Sequence, residues 1–163
     1  MALEINIPNG PDPVNVEILS IQKVILDLNG TVTVYGVLVD GIKERIKKLQ
    51  DLGLTVYLLS GDTLGTAPDF ANQLGVELII AKTAEEKAEK ARNLGDTANI
   101  VAIGNGRIDA ELFKICGLSI IVTGQDEGYD IEAHGFAHIG INTINNAIDL
   151  LLNPTIITAT RRR

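Results

Sequence analysis

The sequence predicts an α/β domain whose centre is a doubly wound, mostly parallel β-sheet. Its 163 residues suit one domain with one substantial core. Along the chain, short runs rich in Val, Ile and Leu alternate with segments that have helical spacing. Continuous apolar runs of this kind are typical of parallel strands that are covered by helices on both faces of the sheet.

Apolar runs predict the strands, and amphipathic segments between them predict the helices. The predicted strands are Lys23–Leu28, Thr55–Ser60, Glu77–Ala81, Ile100–Gly104, Leu118–Gly124 and His138–Ile141. The predicted helices are Gly41–Leu52, Thr63–Leu74, Ala84–Leu94, Ile108–Cys116 and Thr143–Leu152. In the first helix, Ile42, Ile46 and Leu49 fall on one face, as an amphipathic helix requires.

The first twenty residues predict a hairpin at an edge of the sheet. Leu3–Ile7 and Val14–Leu19 are short apolar segments, and Pro8–Pro13 between them has the Pro, Asn and Gly content of a turn. We therefore expect residues 1–20 to add two edge strands.

The rest of the chain divides into a core, residues 22–152, and a C-terminal segment, residues 153–163. Within the latter, Ile156–Thr160 predicts one more strand, which the basic tail Arg161–Arg163 follows. No repeat, low-complexity tract or linker interrupts the sequence, so we expect one domain over residues 1–163.

Composition argues against several classes of protein. A formal net charge of −7 and an aromatic content of 4% do not suit a nucleic-acid binder. No apolar run is long enough for a membrane-spanning helix, and the N-terminus lacks the basic start and apolar core of a secretion signal. The single cysteine, Cys116, fits a reducing compartment, and we expect a cytoplasmic protein.

Polar residues follow three predicted strands, at the edge where open α/β sheets bind ligands. Asp27 lies near the end of the first strand, Ser60 ends the second with Gly61 after it, and Asn105 follows the fourth. A carboxylate on a rigid strand can attack phosphorus, while hydroxyl and glycine N–H groups can bind phosphate oxygens. Carboxylate and carbonyl oxygens can hold Mg²⁺. The sequence therefore predicts a phosphoryl-transfer site that uses Mg²⁺.

Four segments resemble the motifs of a known family. DLNGTVT (27–33) resembles the DKTGTLT signature of P-type ATPases and, more loosely, the DxDGT motif of haloacid dehalogenase-like phosphatases. LLSGDTLGTA (58–67) is similar to the second motif, AKTAEEKAEKARNL (81–94) to the segment with the motif-three lysine, and VAIGNGRIDAELFKICGLSIIV (101–122) to GDGxNDxxxL. The motifs occur in family order. The chain thus resembles a capless haloacid dehalogenase-like protein, in particular the phosphorylation domain of P-type ATPases.

This resemblance implies roles for individual residues. Asp27 would be the nucleophile that forms an aspartyl-phosphate. Ser60 and Gly61 would bind the phosphoryl oxygens, together with backbone N–H groups after Asp27 at Leu28 and Gly30.

The resemblance also implies the cation and metal ligands. Lys87 would neutralise the transferred group, with Lys82 a poorer match, and Asp109 would help to hold Lys87 or the metal site. The implied Mg²⁺ ligands are Asp27, the backbone carbonyl of Asn29, Asn105 and Asp109.

Two asparagines depart from the family pattern. Asn29 stands where the phosphatases have a general acid/base aspartate and P-type ATPases have threonine, and an amide cannot shuttle a proton. Asn105 stands where the family has a metal-binding aspartate, so Mg²⁺ should bind more weakly. We expect a Mg²⁺-dependent phosphohydrolase, slowed by these residues. The alternatives are a catalytically weakened phosphate-binding or regulatory domain and a protein that assembles with another chain.

The short connections leave no room for a cap domain. Capless members of the family act on macromolecular substrates or complete their pocket through an oligomer. We therefore expect a phosphorylated small-molecule or macromolecular substrate and a homo-oligomer, with neither nucleic acid nor membrane as a partner.

Two other sequence patterns are weaker evidence for a binding site. Gly104–Ala110 lacks the third glycine of a dinucleotide-binding fingerprint, and Gly135 breaks any helix that would align His134 and His138 as metal ligands.

Overall fold

Ten β-strands and seven α-helices make up the regular structure, in a computed structural model that describes residues 2–11 and 14–163. The strands are β1 (Leu3–Pro8), β2 (Val16–Ile21), β3 (Lys23–Asp27), β4 (Thr33–Val34), β5 (Val37–Leu38), β6 (Thr55–Ser60), β7 (Glu77–Ile80), β8 (Ile100–Gly104), β9 (Leu118–Val122) and β10 (Ile139–Ile141). The helices are α1 (Ile42–Asp51), α2 (Ala67–Leu74), α3 (Ala84–Asn93), α4 (Ala110–Ile115), α5 (Ile131–His134), α6 (Ile144–Leu152) and α7 (Pro154–Arg161). Each strand and helix predicted for the core is present, with shifts at its ends.

The central sheet has six strands in the order β10-β9-β8-β3-β6-β7, and every neighbouring pair is parallel. This arrangement confirms the predicted α/β fold with a doubly wound, mostly parallel sheet. The chain builds the sheet outward from β3 in one direction through β6 and in the other through β8. The last residue of β3, Asp27, therefore lies at the switch point, where ligands bind in sheets of this kind.

Helices cover both faces of the sheet because successive residues of a strand point to opposite faces. In β3, Val24 and Leu26 belong to the larger apolar cluster, which includes residues of α1, α2 and α6. Ile25, between them, belongs to a second cluster with residues of α3 and α4. Burial of one such side chain is worth about 1.5–3 kcal/mol, so both clusters hold the strand ends in fixed positions.

β1 and β2 pair in antiparallel orientation, as predicted, but they form a two-stranded sheet of their own. The prediction that they are edge strands of the central sheet is therefore wrong. Their alternate residues are buried and pack against the larger apolar cluster: Ile5, Ile7, Leu19 and Ile21. This burial attaches the hairpin through its face rather than through its edge. Asp12 and Pro13 of the predicted turn lie outside the described residues, as does Met1.

The C-terminal segment is a helix, α7, so the predicted strand Ile156–Thr160 is wrong. Pro154 stands in the first turn of this helix, where the missing N–H of proline costs no hydrogen bond. Ile157 is fully buried whereas Ile156 is 51% exposed, so only one face of the helix packs against the core. The backbone N–H of Arg163 donates to the carbonyl oxygen of Pro8, which anchors the tail against β1.

A small antiparallel hairpin, β4 and β5, connects β3 to α1 and was not predicted. Each of its strands has only two residues, which leaves no apolar run to recognise. Among the described residues, this hairpin is the only regular structure between β3 and α1, so the fold has no cap domain there, as predicted. None of the described helices is long and apolar enough to cross a bilayer.

Candidate active site

A cavity of about 570 Å³ opens at the carboxyl edge of the central sheet, beyond β3, β6 and β8. Its lining comes from the strand ends and from the loops that follow them: Asp27, Asn29, Ser60, Gly61, Asp62, Thr63, Lys82, Lys87, Asn105, Gly106 and Ile108. Asp27, Ser60 and Asn105 thus lie in one pocket, as their positions after separate strands led us to expect. Their chemical roles stay predictions.

Lys87 lies between two carboxylates on the buried side of the cavity. Its Nζ is 2.7 Å from Oδ1 of Asp27 and 2.7 Å from Oδ1 of Asp109. Helix α3 places the lysine, and this helix begins where the Thr83 hydroxyl accepts the N–H of Glu86. Since the lysine side chain is only 1% exposed, its charge needs both carboxylates as partners.

These contacts change the acidity of the buried groups. Burial and the neighbouring Asp109 carboxylate raise the pKa of Asp27 to about 6, although the Lys87 ammonium acts in the opposite direction. Burial by itself lowers the pKa of Lys87, but Asp109 and Asp27 outweigh it and hold that pKa above its usual range. At pH 7 and above, Asp27 is therefore mostly an ionised carboxylate beside a charged ammonium, which is the form a nucleophile requires.

Asp109 binds Lys87 and the backbone, and both of its oxygens are used. Oδ1 accepts from Lys87, while Oδ2 accepts the N–H groups of Asn105 at 3.2 Å and Gly106 at 3.1 Å. A Cβ at Gly104 would collide with this carboxylate, so glycine is needed there. Asp109 is 1% exposed and does not line the cavity. These contacts support the implied role of Asp109 in holding Lys87, while its role as a Mg²⁺ ligand stays a prediction.

The turn after Asp27 is closed by its own backbone bonds. The N–H of Gly30 donates to the carbonyl oxygen of Thr33 at 2.8 Å. Gly30 has a φ of 79°, and a Cβ there would collide with the Asn105 side chain, so this approach requires glycine. Neither Leu28 nor Gly30 lines the cavity. The N–H of Gly30 is thus bonded within the turn, and the implied roles of Gly30 and Leu28 in phosphate binding stay predictions.

The side-chain amide of Asn105 is oriented by the loop after β9. Its Nδ2 donates to the carbonyl oxygen of Gly128 at 3.0 Å. The Thr31 hydroxyl lies 3.3 Å from Oδ1 of Asn105 and 3.3 Å from Oδ2 of Asp27. Thr31 thus links Asn105 to Asp27, and Asn105 lines the cavity, where an amide oxygen is a type of ligand that a hard cation accepts.

Ser60 ends β6 beside a loop that is already ordered. Its Oγ accepts the N–H of Asp62 at 3.1 Å, and Oδ1 of Asp62 accepts the N–H of Ala67 at the start of α2, at 2.8 Å. Asp62 has a φ of 50°, a left-handed conformation that aspartate tolerates. The hydroxyl of Ser60 keeps its proton available for a phosphate oxygen, next to Gly61 in the cavity lining.

Our sequence reasoning missed Gln125, which follows the end of β9. Its Nε2 donates to the carbonyl oxygens of Gly30 and Thr31, both at 2.9 Å, and its Oε1 accepts the N–H of Ile144 at 2.9 Å. One side chain thus ties the turn after Asp27 to β9 and to the start of α6. None of the four motif segments includes this residue. Its place just after a strand is the signal that could have identified it.

The residues of the cavity fit one Mg²⁺ ion if a phosphate also contributes. Among the residues the structure describes, no group of three or more His, Cys, Asp or Glu could hold a metal. Mg²⁺ is usually held by one or two carboxylates, substrate phosphate and water, so the Asp27 carboxylate with the oxygens of Asn105 and Asn29 suits it. His138 is used elsewhere, since its Nδ1 accepts the N–H of Ser119 at 3.0 Å.

Comparisons with known proteins give matches in sequence. A family model described as a haloacid dehalogenase-like hydrolase matches residues 11–117. The chain is 33% identical over 136 residues to a copper-exporting P-type ATPase of Staphylococcus aureus (strain bovine RF122 / ET3-1). That match covers 82% of this chain and 16% of the ATPase, so the chain spans about a sixth of the length of this relative.

Solved structures with a similar fold include two phosphatases. The cobalt-bound deoxy-D-mannose-octulosonate 8-phosphate phosphatase of Haemophilus influenzae has a TM-score of 0.66 and 18% identity, over 85% of this chain and 91% of that one. The second is the 3-deoxy-D-manno-octulosonate 8-phosphate phosphatase of Moraxella catarrhalis, in complex with magnesium, phosphate and KDO. It has a TM-score of 0.69 and 14% identity, and the match covers 85% of this chain and 90% of that one. At these identities the likeness concerns the fold alone.

Proposed function

Since this chain belongs to the haloacid dehalogenase-like hydrolases, we propose that it is a Mg²⁺-dependent phosphohydrolase that acts through an aspartyl-phosphate on Asp27. The observation that carries the proposal is the 2.7 Å ion pair between Asp27 and the buried Lys87, in a cavity that Ser60 also lines. A carboxylate nucleophile, a fixed cation and a hydroxyl donor are the groups that phosphoryl transfer needs.

In the first step, a carboxylate oxygen of Asp27 attacks the phosphorus, and the bond from phosphorus to the leaving-group oxygen breaks. The leaving oxygen keeps the bonding electron pair and takes a proton from water. Lys87 stabilises the negative charge of the transferred group, and the Ser60 hydroxyl donates to one of its oxygens. In the second step, water attacks the phosphorus, which releases inorganic phosphate and restores the Asp27 carboxylate.

Asp27, Asn105 and the backbone carbonyl of Asn29 would hold Mg²⁺ together with the substrate phosphate. When bound, the ion supplies positive charge that offsets the charge of the phosphoryl group. Asn29 and Asn105 contribute neutral oxygens, so the chain offers the ion little negative charge. We therefore expect metal and phosphate to bind cooperatively.

Asp27→Asn tests the nucleophile directly. The variant keeps the shape of the side chain but cannot form an aspartyl-phosphate, so it should lose hydrolysis of a generic phosphomonoester. It should also lose Mg²⁺-dependent binding of beryllofluoride, which mimics a phosphoryl group on a carboxylate. Phosphate release and calorimetry measure the two effects. The control Asp69→Asn, on the exposed side of α2, should keep both. Retained turnover in Asp27→Asn would mean that the nucleophile is elsewhere.

A second candidate function is favoured by Asn29, which is exposed in the cavity lining where a phosphatase of this family needs a proton donor. A catalytically weakened domain would bind phosphate, or keep the phosphoryl group on Asp27, as a regulatory signal. Such a domain would share every contact of the site with the slow phosphohydrolase. The two functions differ only in the rate at which phosphate is released.

Phosphate release from a generic phosphomonoester by the wild type, with and without Mg²⁺, separates the two functions. Asn29→Asp tests whether Asn29 limits the rate. If hydrolysis is limited by the missing acid/base group, the variant should release phosphate faster by a factor of up to about 10²–10⁴. Single-turnover phosphate release at saturating Mg²⁺ measures this rate. An Asn93→Asp variant, exposed near the end of α3, is the control for added charge. No acceleration would mean that Asn29 alone does not limit the rate and that a second residue also limits it.

We also propose a phosphorylated small molecule or macromolecule as the substrate, a homo-oligomeric state and a cytoplasmic location. The open cavity supports the first two, because no cap covers it among the described residues and a second copy could complete it. Light scattering coupled to size exclusion measures the oligomeric state.

A further inference from the structure

The cavity contains two lysines, and only one of them is used by the protein itself. Lys87 is paired with Asp27 and with Asp109. Lys82 also lines the cavity and is exposed, yet its ammonium has no carboxylate within ion-pair distance in the part of the chain that the structure describes. Lys82 is therefore a cation available to a ligand.

The backbone of Lys82 is held against the end of β6 and the loop that follows it. The N–H of Ala81 donates to the carbonyl oxygen of Ser60 at 3.0 Å. The next N–H, that of Lys82, donates to the Glu86 carboxylate at 2.6 Å. A Cβ at Gly61 would lie 3.8 Å from Cα of Lys82, which is ordinary van der Waals distance, so the backbones of the two loops lie next to each other. The lysine thus starts from a fixed point beside Ser60 and Gly61.

The acidic groups near Lys82 are used by the backbone. Glu86 accepts the N–H of Lys82, and Asp62 accepts the N–H of Ala67 at the start of α2. Neither carboxylate is within ion-pair distance of the Lys82 ammonium. The cavity of about 570 Å³ falls in the size range of small-molecule sites, so it has room for a leaving group as well as a phosphoryl group.

From these contacts we propose that Lys82 forms a second anion subsite, which binds a carboxylate or a second phosphoryl group on the leaving group of the substrate. The substrate class is then a small phosphomonoester with an additional anionic group close to its phosphate. This inference rests on the proposed function, since it assumes that the phosphoryl group lies between Asp27 and Ser60. Lys82 would select the substrate by its second anionic group, whereas Lys87 would stabilise the charge of the phosphoryl group that is transferred.

Binding of non-hydrolysable phosphonates tests the subsite without relying on turnover. Methylphosphonate is the probe without a second anion. Phosphonoacetate adds a carboxylate, and methylenediphosphonate adds a second phosphonate. Calorimetry with Mg²⁺ gives their affinities for the wild type, for Lys82→Met, for Lys82→Arg, and for the control Lys90→Met on the exposed side of α3. Chelation of Mg²⁺ by the two larger probes is common to all four proteins and cancels when the proteins are compared.

The wild type should prefer at least one larger probe over methylphosphonate, and Lys82→Met should reduce that preference by about tenfold or more, the effect of one charge-assisted contact. Lys82→Arg should keep the preference, and so should Lys90→Met. The probe that loses more affinity identifies the second anion as carboxylate or phosphoryl. An unchanged preference in Lys82→Met, or none in the wild type, would overturn the subsite. Failure of every probe to bind any of the proteins would instead overturn the proposed phosphate site.

Discussion

Asn105 departs from the pattern of its family and still fits its surroundings. Its Nδ2 donates to the carbonyl oxygen of Gly128, while its Oδ1 accepts from the Thr31 hydroxyl. An aspartate at this position would place a carboxylate oxygen against the Gly128 carbonyl oxygen, with no proton between the two acceptors. The amide therefore matches the loop after β9, and this contact does not depend on any metal.

We predict that Asn105→Asp makes the stability of the protein depend on Mg²⁺. Without metal, the variant should lose about 0.5–1.5 kcal/mol in free energy of unfolding, since the donor to the exposed Gly128 carbonyl is lost and a new charge lies near Asp27. The added carboxylate should allow Mg²⁺ to bind without phosphate, and the bound ion should restore stability by mass action. Urea unfolding in EDTA and in Mg²⁺ measures both effects.

The control Asn6→Asp adds the same charge on the exposed side of β1, and its stability should not depend on Mg²⁺. Equal stability of Asn105→Asp and the wild type in EDTA would mean that the Gly128 contact contributes little. Tight Mg²⁺ binding by the wild type without phosphate would mean that Asn105 does not weaken the metal site, and Asp109 or Asp62 would then have to supply the missing charge.

Among the structural elements, the loop after β9 supports several parts of the site. Gln125 binds the turn after β3, Glu127 accepts the backbone N–H of Tyr35 in the β4–β5 hairpin, and Gly128 accepts from Asn105. These segments are far apart in the sequence and share this one loop as a partner. A change in the loop should therefore affect ligand binding as well as stability.

Gln125→Leu tests this coupling. The carbonyl oxygens of Gly30 and Thr31 belong to buried residues and would lose their side-chain donor, so the free energy of unfolding should fall by about 1–3 kcal/mol. The turn after Asp27 would also be released from β9 and α6, so beryllofluoride should bind more weakly. Urea unfolding gives the first quantity, and calorimetry at a temperature where the protein is fully folded gives the second.

Gln50→Leu is the matched control for this experiment. Gln50 also donates its amide to a glycine carbonyl, that of Gly75, at 3.0 Å, but between α1 and α2 and away from the cavity. This variant should lose some stability and bind beryllofluoride as the wild type does. If the affinity falls in both variants in proportion to their loss of stability, Gln125 has only a structural role.

For the molecule as a whole, the parallel sheet is what brings distant residues to one site. Because the six strands run in the same direction, their carboxyl ends share one edge. A cavity opens at that edge, beside the switch point at β3. Its lining includes Asp27 at the end of β3, Ser60 at the end of β6 and Asn105 just after β8. The two apolar clusters keep those strands rigid, which is what a reaction with fixed geometry requires.

Local signals were sufficient to predict the fold and the common location of Asp27, Ser60 and Asn105. A buried parallel strand needs a continuous apolar run, and an amphipathic helix needs apolar residues at helical spacing. Both patterns are visible within a few consecutive residues. The polar residue after each run then lies at the ligand-binding edge, whatever the rest of the chain does.

Packing between distant segments determined the remainder. The sequence offered two candidate lysines, Lys82 and Lys87. The packing of α3 places Lys87 between Asp27 and Asp109, whereas Lys82 has no ion-pair partner among the described residues. Gln125 carried no motif, because its partners lie in another part of the sequence. The C-terminal segment became α7 because Ile157 is buried on one helical face, and that burial outweighs a weak local preference. A short stretch of sequence records local preferences of a few tenths of a kcal/mol per residue, whereas burial of one side chain contributes about 1.5–3 kcal/mol and depends on segments outside that stretch.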